Sequence, residues 1–330
     1  MKLTPRRAKP RRAGRVTLLG PQALEVTLDR IAPTLPEGPI ATITAGWQER
    51  ESEDAELDGY LGGRSRNLEL YRRSETLSEL DPELHEAHRA TQDRLKLLRR
   101  AYNVRLAHLM GAWSELVDML GDDAVLRPER ESALEAIRAL DSDHLARVRE
   151  IRLEYENAHR PGERYEVVRQ RTAIDGVLDG AETVVIAGGH VAVLLNRLNL
   201  FGMGERLAGR TIVAWSAGAM ALAGRVVLFH DQPPQGPGHA EVLEHGLDLY
   251  PTLLPFPYAR QRLDLDDRAR SGRLARRFAP ARCAVLDAGT RLEWAGRGWR
   301  PHGPAQRISE DGRLADLRLQ RRSRRAEEMS

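Results

Sequence analysis

The chain has 330 residues with 51 Lys and Arg against 48 Asp and Glu, long enough for one large or two modest domains and close to charge balance. Its 41% hydrophobic and 30% charged residues fit a globular protein with a charge-rich surface, and its one cysteine, Cys283, excludes an internal disulfide or a cysteine-rich metal site. No apolar run approaches the ~18–20 residues of a membrane span, and the first twenty residues lack a signal-peptide core, so a cytoplasmic location is expected.

Residues 1–14 form a basic tail through Lys2, Arg6, Arg7, Lys9, Arg11 and Arg12. No aromatic residues interleave with these charges to stack on bases, so the tail is expected to be solvated, with neither nucleic acid nor membrane as partner. Apolar runs follow at Val16–Gly20 and Ile40–Ala45, with a shorter strand candidate at Asn67–Tyr71 and a crossover helix at Leu24–Ile31. Continuous apolar runs suit strands buried on both faces of a parallel sheet.

Over residues 78–165 the pattern becomes helical. Leu84, His88, Thr91, Leu95, Leu98, Tyr102, Leu106, Leu109, Trp113 and Leu116 recur by threes and fours, and Asp81-Pro82 supplies an N-cap and first helical residue. This helix is expected to end at Gly121-Asp122-Asp123. A second should begin near Pro128 and a third near Asp141, with Pro161-Gly162 stopping the run. The stripe through Leu95, Tyr102, Leu109 and Trp113 predicts packing within the segment or across a homodimer interface. The segment reads as an α-helical insertion serving as a lid, a dimer arm or a partner platform.

Strand-like runs resume at Thr183–Ala187, Thr211–Ala214, Val226–Phe229 and Cys283–Leu286, with a helix at Val191–Leu200 and a Pro/Gly-rich loop at 232–238. Residues 301–330 predict a hairpin turning at Asp311-Gly312 and a basic tail with Arg321, Arg322, Arg324 and Arg325. The expectation is an α/β fold of three layers, a mostly parallel sheet flanked by helices. Residues 15–77 and 166–300 would build it around the insertion at 78–165.

The sharpest chemical feature is Thr211-Ile212-Val213-Ala214-Trp215-Ser216-Ala217-Gly218-Ala219-Met220. A strand runs into a serine with small neighbours and then a small-residue helix, the context of a nucleophile elbow; the plainer alternative is a strand–helix joint with Ser216 as N-cap. Ile186-Ala187-Gly188-Gly189-His190 ends another strand, and its glycines could present amides to an oxyanion or merely turn the chain into a helix. His85-Glu86-Ala87-His88 has its histidines three apart, not the four of the zinc motif. With no Walker loop and no dinucleotide glycine motif, neither a metal nor another cofactor is expected.

Taken together, this order and spacing resembles the peptidase E and cyanophycinase family of serine peptidases, which have a class I glutamine amidotransferase-like fold. Gly188-Gly189-His190 stands where the family has a Gly-Gly-Gly-Asn type loop, and Ser216-Ala217-Gly218-Ala219 matches its Ser-Ala-Gly-Ala. Supporting matches are Pro39–Ala45, Gly246–Leu249 and Leu286-Asp287-Ala288-Gly289-Thr290, over roughly residues 15–76 and 166–296. The resemblance implies Ser216 as nucleophile, Gly188, Gly189 and Ala217 at the oxyanion hole, Asp231 as acidic partner, and Arg260 and Arg262 as substrate-binding residues. It implies a peptide or small amide substrate; glutamine amidotransfer needs a cysteine where Ser216 stands. The family's histidine position falls on Phe256 or Pro257, neither of which accepts a proton. A replacement base would have to come from His190 or His230, with His239 and His245 as further choices. Two readings follow: a serine hydrolase with impaired or non-standard activity, or a pseudoenzyme that binds a ligand or partner through the retained pocket or the helical insertion.

Overall fold

The computed structural model describes residues 12–23, 25–231, 238–296 and 298–317. The C-terminal basic tail, most of the N-terminal one, Leu24 and nearly all of the Pro/Gly-rich loop lie outside them. Residues 12–14, expected as the end of the basic tail, already run along the body: Ala13 is buried and its N–H donates to Leu249 O.

The first part of the chain forms β1 (Arg15–Leu19), α1 (Leu28–Ile31), β2 (Ile40–Ile43), α2 (Ala55–Tyr60), β3 (Ser65–Asn67) and α3 (Leu70–Leu80). Two 37-residue helices follow, α4 (Pro82–Asp118) and α5 (Asp123–His159), then α6 (Tyr165–Asp179). Next come β4 (Thr183–Ile186), α7 (Val191–Leu200), α8 (Met203–Arg206), β5 (Thr211–Trp215), α9 (Ala217–Leu222), β6 (Val226–Leu228) and β7 (Glu241–Glu244). The chain continues through β8 (Leu253–Pro257), α10 (Ala259–Arg262), α11 (Arg268–Phe278), β9 (Arg282–Leu286), β10 (Arg291–Trp294) and β11 (Trp299–Pro301). It closes with β12 (Gln306–Ile308) and β13 (Leu314–Asp316), the hairpin expected at Asp311-Gly312.

The central sheet has the order β11-β10-β1-β5-β4-β2-β3. Its β1-β5-β4-β2-β3 portion is parallel, with β10 and β11 added antiparallel. Strands from before and after the long helices therefore share one sheet. Alternate residues feed two apolar layers, the period-two pattern of a sheet covered on both faces. Val16, Leu18, Ile43, Val184, Ile186 and Ile212 face one core with α7 and the long helices, while Leu19, Ile40, Val185 and Val213 face the other with α1 and α2. Among the described residues, no helix is long and apolar enough to cross a membrane.

Several expectations need correcting. Cys283–Leu286 is a strand, but it lies in a separate four-stranded sheet, β13-β12-β9-β8, and Val226–Leu228 lies in a two-stranded ribbon with β7. Apolar runs identify strands; their partners depend on long-range pairing. The candidate strand at 67–71 ends at Asn67, where Glu69 turns through φ 50° and Leu70 begins a helix. The expected second and third helices are one, α5. Pro128 sits near its N-terminus, where few intrahelical bonds are lost, and Asp141 starts nothing.

Asp141 instead joins the long helices to the α/β body. Arg277 of α11 donates from Nε to Asp141 Oδ2 at 2.8 Å and from Nη2 to Oδ1 at 2.7 Å. Tyr102 O–H of α4 donates to the same carboxylate at 2.8 Å and accepts from Arg277 Nη2 at 2.8 Å. Tyr102 and Trp113 are buried and Leu109 packs against the same core, so these three of the four stripe positions pack within the chain. The Asp81 cap forms as expected, accepting from Leu84 N–H at 3.1 Å, and Arg164 holds the same carboxylate.

Two desolvated histidines make the fold acid-sensitive. Desolvation pushes the half-buried His88 imidazole down to about 4 and lowers the buried His144 as well. The unfolded chain then binds more protons below the ordinary histidine value of ~6.5. The stability these neutral rings contribute is fully present above pH ~6.5 and is lost as pH falls toward 4. Burial raises Glu51 and Asp287, which act with the opposite sign nearer the carboxylate range. Melting temperatures at pH 7, 6 and 5 should fall steadily, and less steeply in His88→Gln; an equal decline in both would contradict the assignment to His88.

Candidate active site

Pairing of β4 with β5 sets Ile186 opposite Ala214, so the segments after these neighbouring parallel strands leave the sheet side by side. Crevices at the carboxyl ends of such strands are where α/β folds bind ligands. Ser216 follows β5 and Gly188-Gly189 follows β4.

Ser216 has φ 49° and ψ −121°, a conformation sparsely populated by residues with a side chain. Ala217–Leu222 then forms α9, all six residues buried. The small side chains predicted to permit a sharp strand–helix turn thus do so, and Ser216 projects into a cavity of about 930 Å3. Its side chain makes no cap bond to α9, which argues against a simple N-cap.

The Gly188 backbone lies against this serine: a Cβ there would sit 3.0 Å from Ser216 Cβ and 3.5 Å from its Oγ. Gly189 is held from the other side, at φ 111°, by the loop after β2. A Cβ on Gly189 would come within 2.3 Å of Gly46 O, which also accepts the His190 N–H at 2.7 Å. Among the described residues, neither the Gly189 nor the Ala217 amide takes a backbone acceptor. Both residues line the serine cavity.

The histidines separate. His230 lines the Ser216 cavity and is exposed. His190 caps α7, its Nδ1 accepting from Val193 N–H at 3.3 Å, and is not part of the cavity wall. His239 lines a small cavity beside Arg270, and His245 lines a large one against α5. Pro257 stands in the serine cavity wall, while Phe256 is buried against Phe229 at 4.7 Å between ring centroids.

Asp231, next to His230 in the chain, is not part of this cavity's wall. Its carboxylate pairs with Arg270 Nε at 2.8 Å and accepts from Asp264 N–H at 2.8 Å. The two arginines also divide. Arg260 is drawn to Asp287 and Gln306, whereas Arg262 lines the cavity, its guanidinium 5.5 Å from the Tyr258 ring centroid and 5.8 Å from that of Phe229. Cys283 is buried, its thiol pushed up to about 12 by desolvation, and takes no part.

Sequence reasoning missed the wall contributed after β2, where Trp47, Glu53, Glu56 and Tyr60 face the cavity. The available signal was positional, since residues just past each strand's carboxyl end border such crevices. Tyr60 O–H donates to Glu56 at 2.6 Å, setting a carboxylate at an aromatic wall. Among the described residues, no group of three or more His, Cys, Asp and Glu side chains is placed to hold a metal ion.

No protein-family model matches the chain, and no curated protein matches it. Among solved structures, a peptidase from an acI-B1 actinobacterium is similar at 13% identity and a TM-score of 0.42, covering 94% of this chain and 96% of that one. A likeness at that level bears on neither substrate nor mechanism.

Proposed function

We propose that this protein is a serine-dependent amide hydrolase of the peptidase E and cyanophycinase kind, with His230 as a non-standard base. The observation that carries the reading is the Ser216 backbone, held at φ 49° and ψ −121° with the Gly188 backbone against it at the cavity wall. A strained serine beside amides without backbone acceptors suits acyl transfer better than a structural turn.

In this reading Ser216 Oγ attacks the carbonyl carbon of a peptide or small amide while its proton passes to His230. The developing oxyanion accepts from the Gly189 and Ala217 amides, with Gly188 keeping the approach open. Collapse expels the amine, which takes the proton back from His230; water then hydrolyses the acyl-enzyme by the same route. Arg262 offers a cation to a substrate carboxylate. The weak element is support for the base, because Asp231 is engaged by Arg270 and Asp264.

That engagement, with Pro257 in the cavity wall, favours a second reading: a pseudoenzyme whose pocket binds a ligand without turnover. Labelling by a fluorophosphonate together with a peptide and ester screen separates the two. His230→Gln is expected to slow labelling and turnover by ~10²–10⁴-fold. Wild-type rates in His230→Gln would dismiss it as base, and an unlabelled wild-type protein would favour the binding reading.

A further inference from the structure

One face of the Ser216 cavity is an open edge of the apolar core under α1 and α2. Val26, Leu28, Trp47, Leu57, Tyr60 and Trp215 line the cavity and belong to that core. Leu28, Leu57 and Trp215 are buried, whereas Val26, Trp47 and Tyr60 are only partly covered. The face begins beside the serine, since a Cβ on Gly188 would lie 3.5 Å from both Ser216 Oγ and Trp215 Cδ1. Contiguous apolar surface in a groove marks a place where a ligand is bound.

The polar groups on this face are engaged by the protein itself. Gln22 donates to Gly20 O at 2.7 Å and accepts from the Thr27 and Leu28 amides at 2.8 and 2.9 Å. Glu53 is paired with Arg50 at 2.7 Å, and Glu56 accepts from Tyr60 O–H at 2.6 Å. The basic groups of the wall, His230 and Arg262, come from the segments after β6 and β8, with Arg262 over the rings of Phe229 and Tyr258. What the α1–α2 face offers a substrate is therefore apolar and aromatic surface.

Trp47 is held in place through its backbone. Its N–H donates to Thr44 O at 2.8 Å, and Gly46 O before it accepts from His190 N–H at 2.7 Å. Gln48 after it stands at φ 60° and ψ −126°, sparsely populated by residues with a side chain, and its carbonyl accepts from Glu51 N–H at 2.9 Å. Thr44 in turn donates from Oγ1 to Glu51 O at 2.9 Å and accepts from Asn67 Nδ2 at 2.8 Å. A strained turn kept by that many bonds sets the indole in advance of binding, which lowers the cost of ordering it.

We propose, on the serine-hydrolase reading, that this face is the specificity subsite and takes an aromatic side chain of the substrate against Trp47, between Tyr60 and Leu57. The N-acetyl amides of phenylalanine, alanine, lysine and glutamate test it, by calorimetric binding to full-chain Ser216→Ala and by ammonia release with the wild type. The phenylalanine compound is expected to bind ~10–100-fold more tightly than the alanine one, from burial of the ring, and to be hydrolysed with a similarly higher kcat/KM. Trp47→Ala in the Ser216→Ala background should narrow the binding ratio below about fivefold. Val26→Phe keeps the test decisive if Trp47→Ala melts early, because it fills the subsite, leaves Trp47 in place and should weaken phenylalanine binding about tenfold or more. Equal binding of the phenylalanine and alanine compounds, tighter binding of the lysine or glutamate one, or an undiminished preference in Val26→Phe would overturn the proposal. The preference in binding, with a wild type that neither turns over nor is labelled, would support the subsite and overturn the hydrolase reading alone.

Discussion

Ser216→Ala is expected to abolish fluorophosphonate labelling and to lower any amide turnover by at least about 10³-fold. Removing the nucleophile of a complete triad costs up to about 10⁶-fold. On the proposed reading the loss is smaller, because a base without an acidic partner would start from a slower enzyme. Stability should move the other way when strain is relieved. Ser216 holds φ 49° and ψ −121°, and a non-glycine residue in so sparse a region costs ~1–3 kcal/mol. Ser216→Gly removes that strain but adds ~0.5–1 kcal/mol of unfolded-chain entropy, leaving a gain of about 1 kcal/mol and a melting temperature raised by ~1–3 °C. Labelling and turnover are read by mass spectrometry and an amide-release assay, stability by thermal melts. Undiminished labelling of Ser216→Ala would place the nucleophile elsewhere, and a lower melting temperature for Ser216→Gly would contradict the strain argument.

The largest stability effect is expected at Asp141. Arg277 and Asp141 are each 1% exposed at the side chain and bound bidentately, with the Tyr102 hydroxyl completing the group. Asp141→Ala leaves a guanidinium buried beside a hydroxyl that has lost its acceptor. Breaking one side of a buried pair costs ~3–5 kcal/mol, a large share of a typical 5–15 kcal/mol stability. Asp141→Leu combined with Arg277→Met should recover most of the loss, since replacing both buried charges by apolar groups is often neutral or stabilising. Urea unfolding measures both. A loss below about 1 kcal/mol in Asp141→Ala would mean that the long helices are held to the body by apolar packing alone. Failure of the double variant to recover would show that the pair contributes more than mutual charge compensation.

Much of this architecture was legible because its signals are local. The runs that became β1, β2, β4 and β5 announce themselves by continuous apolar character, α7 begins and ends where its pattern does, and Asp81-Pro82 caps α4 as read. The Ser216 turn was visible for the same reason: the small residues that permit it are its sequence neighbours. Residues whose roles depend on distant partners were not legible. Asp141 looks like a helix start because aspartate favours that position, yet its carboxylate is taken by an arginine 136 residues away, and the helix runs through it. Asp231 looks like a catalytic acid by its distance from Ser216, yet Arg270 and the amide of Asp264, 33 residues on, hold it elsewhere. Of the four histidines considered, only the packing of the β6 segment beside Ser216 brings one, His230, to the serine cavity. Backbone preference and apolar periodicity act over a few residues and can be read along the chain. The partner of a strand, a charge or an imidazole is chosen when segments far apart in sequence are buried together, so the tertiary structure decided those.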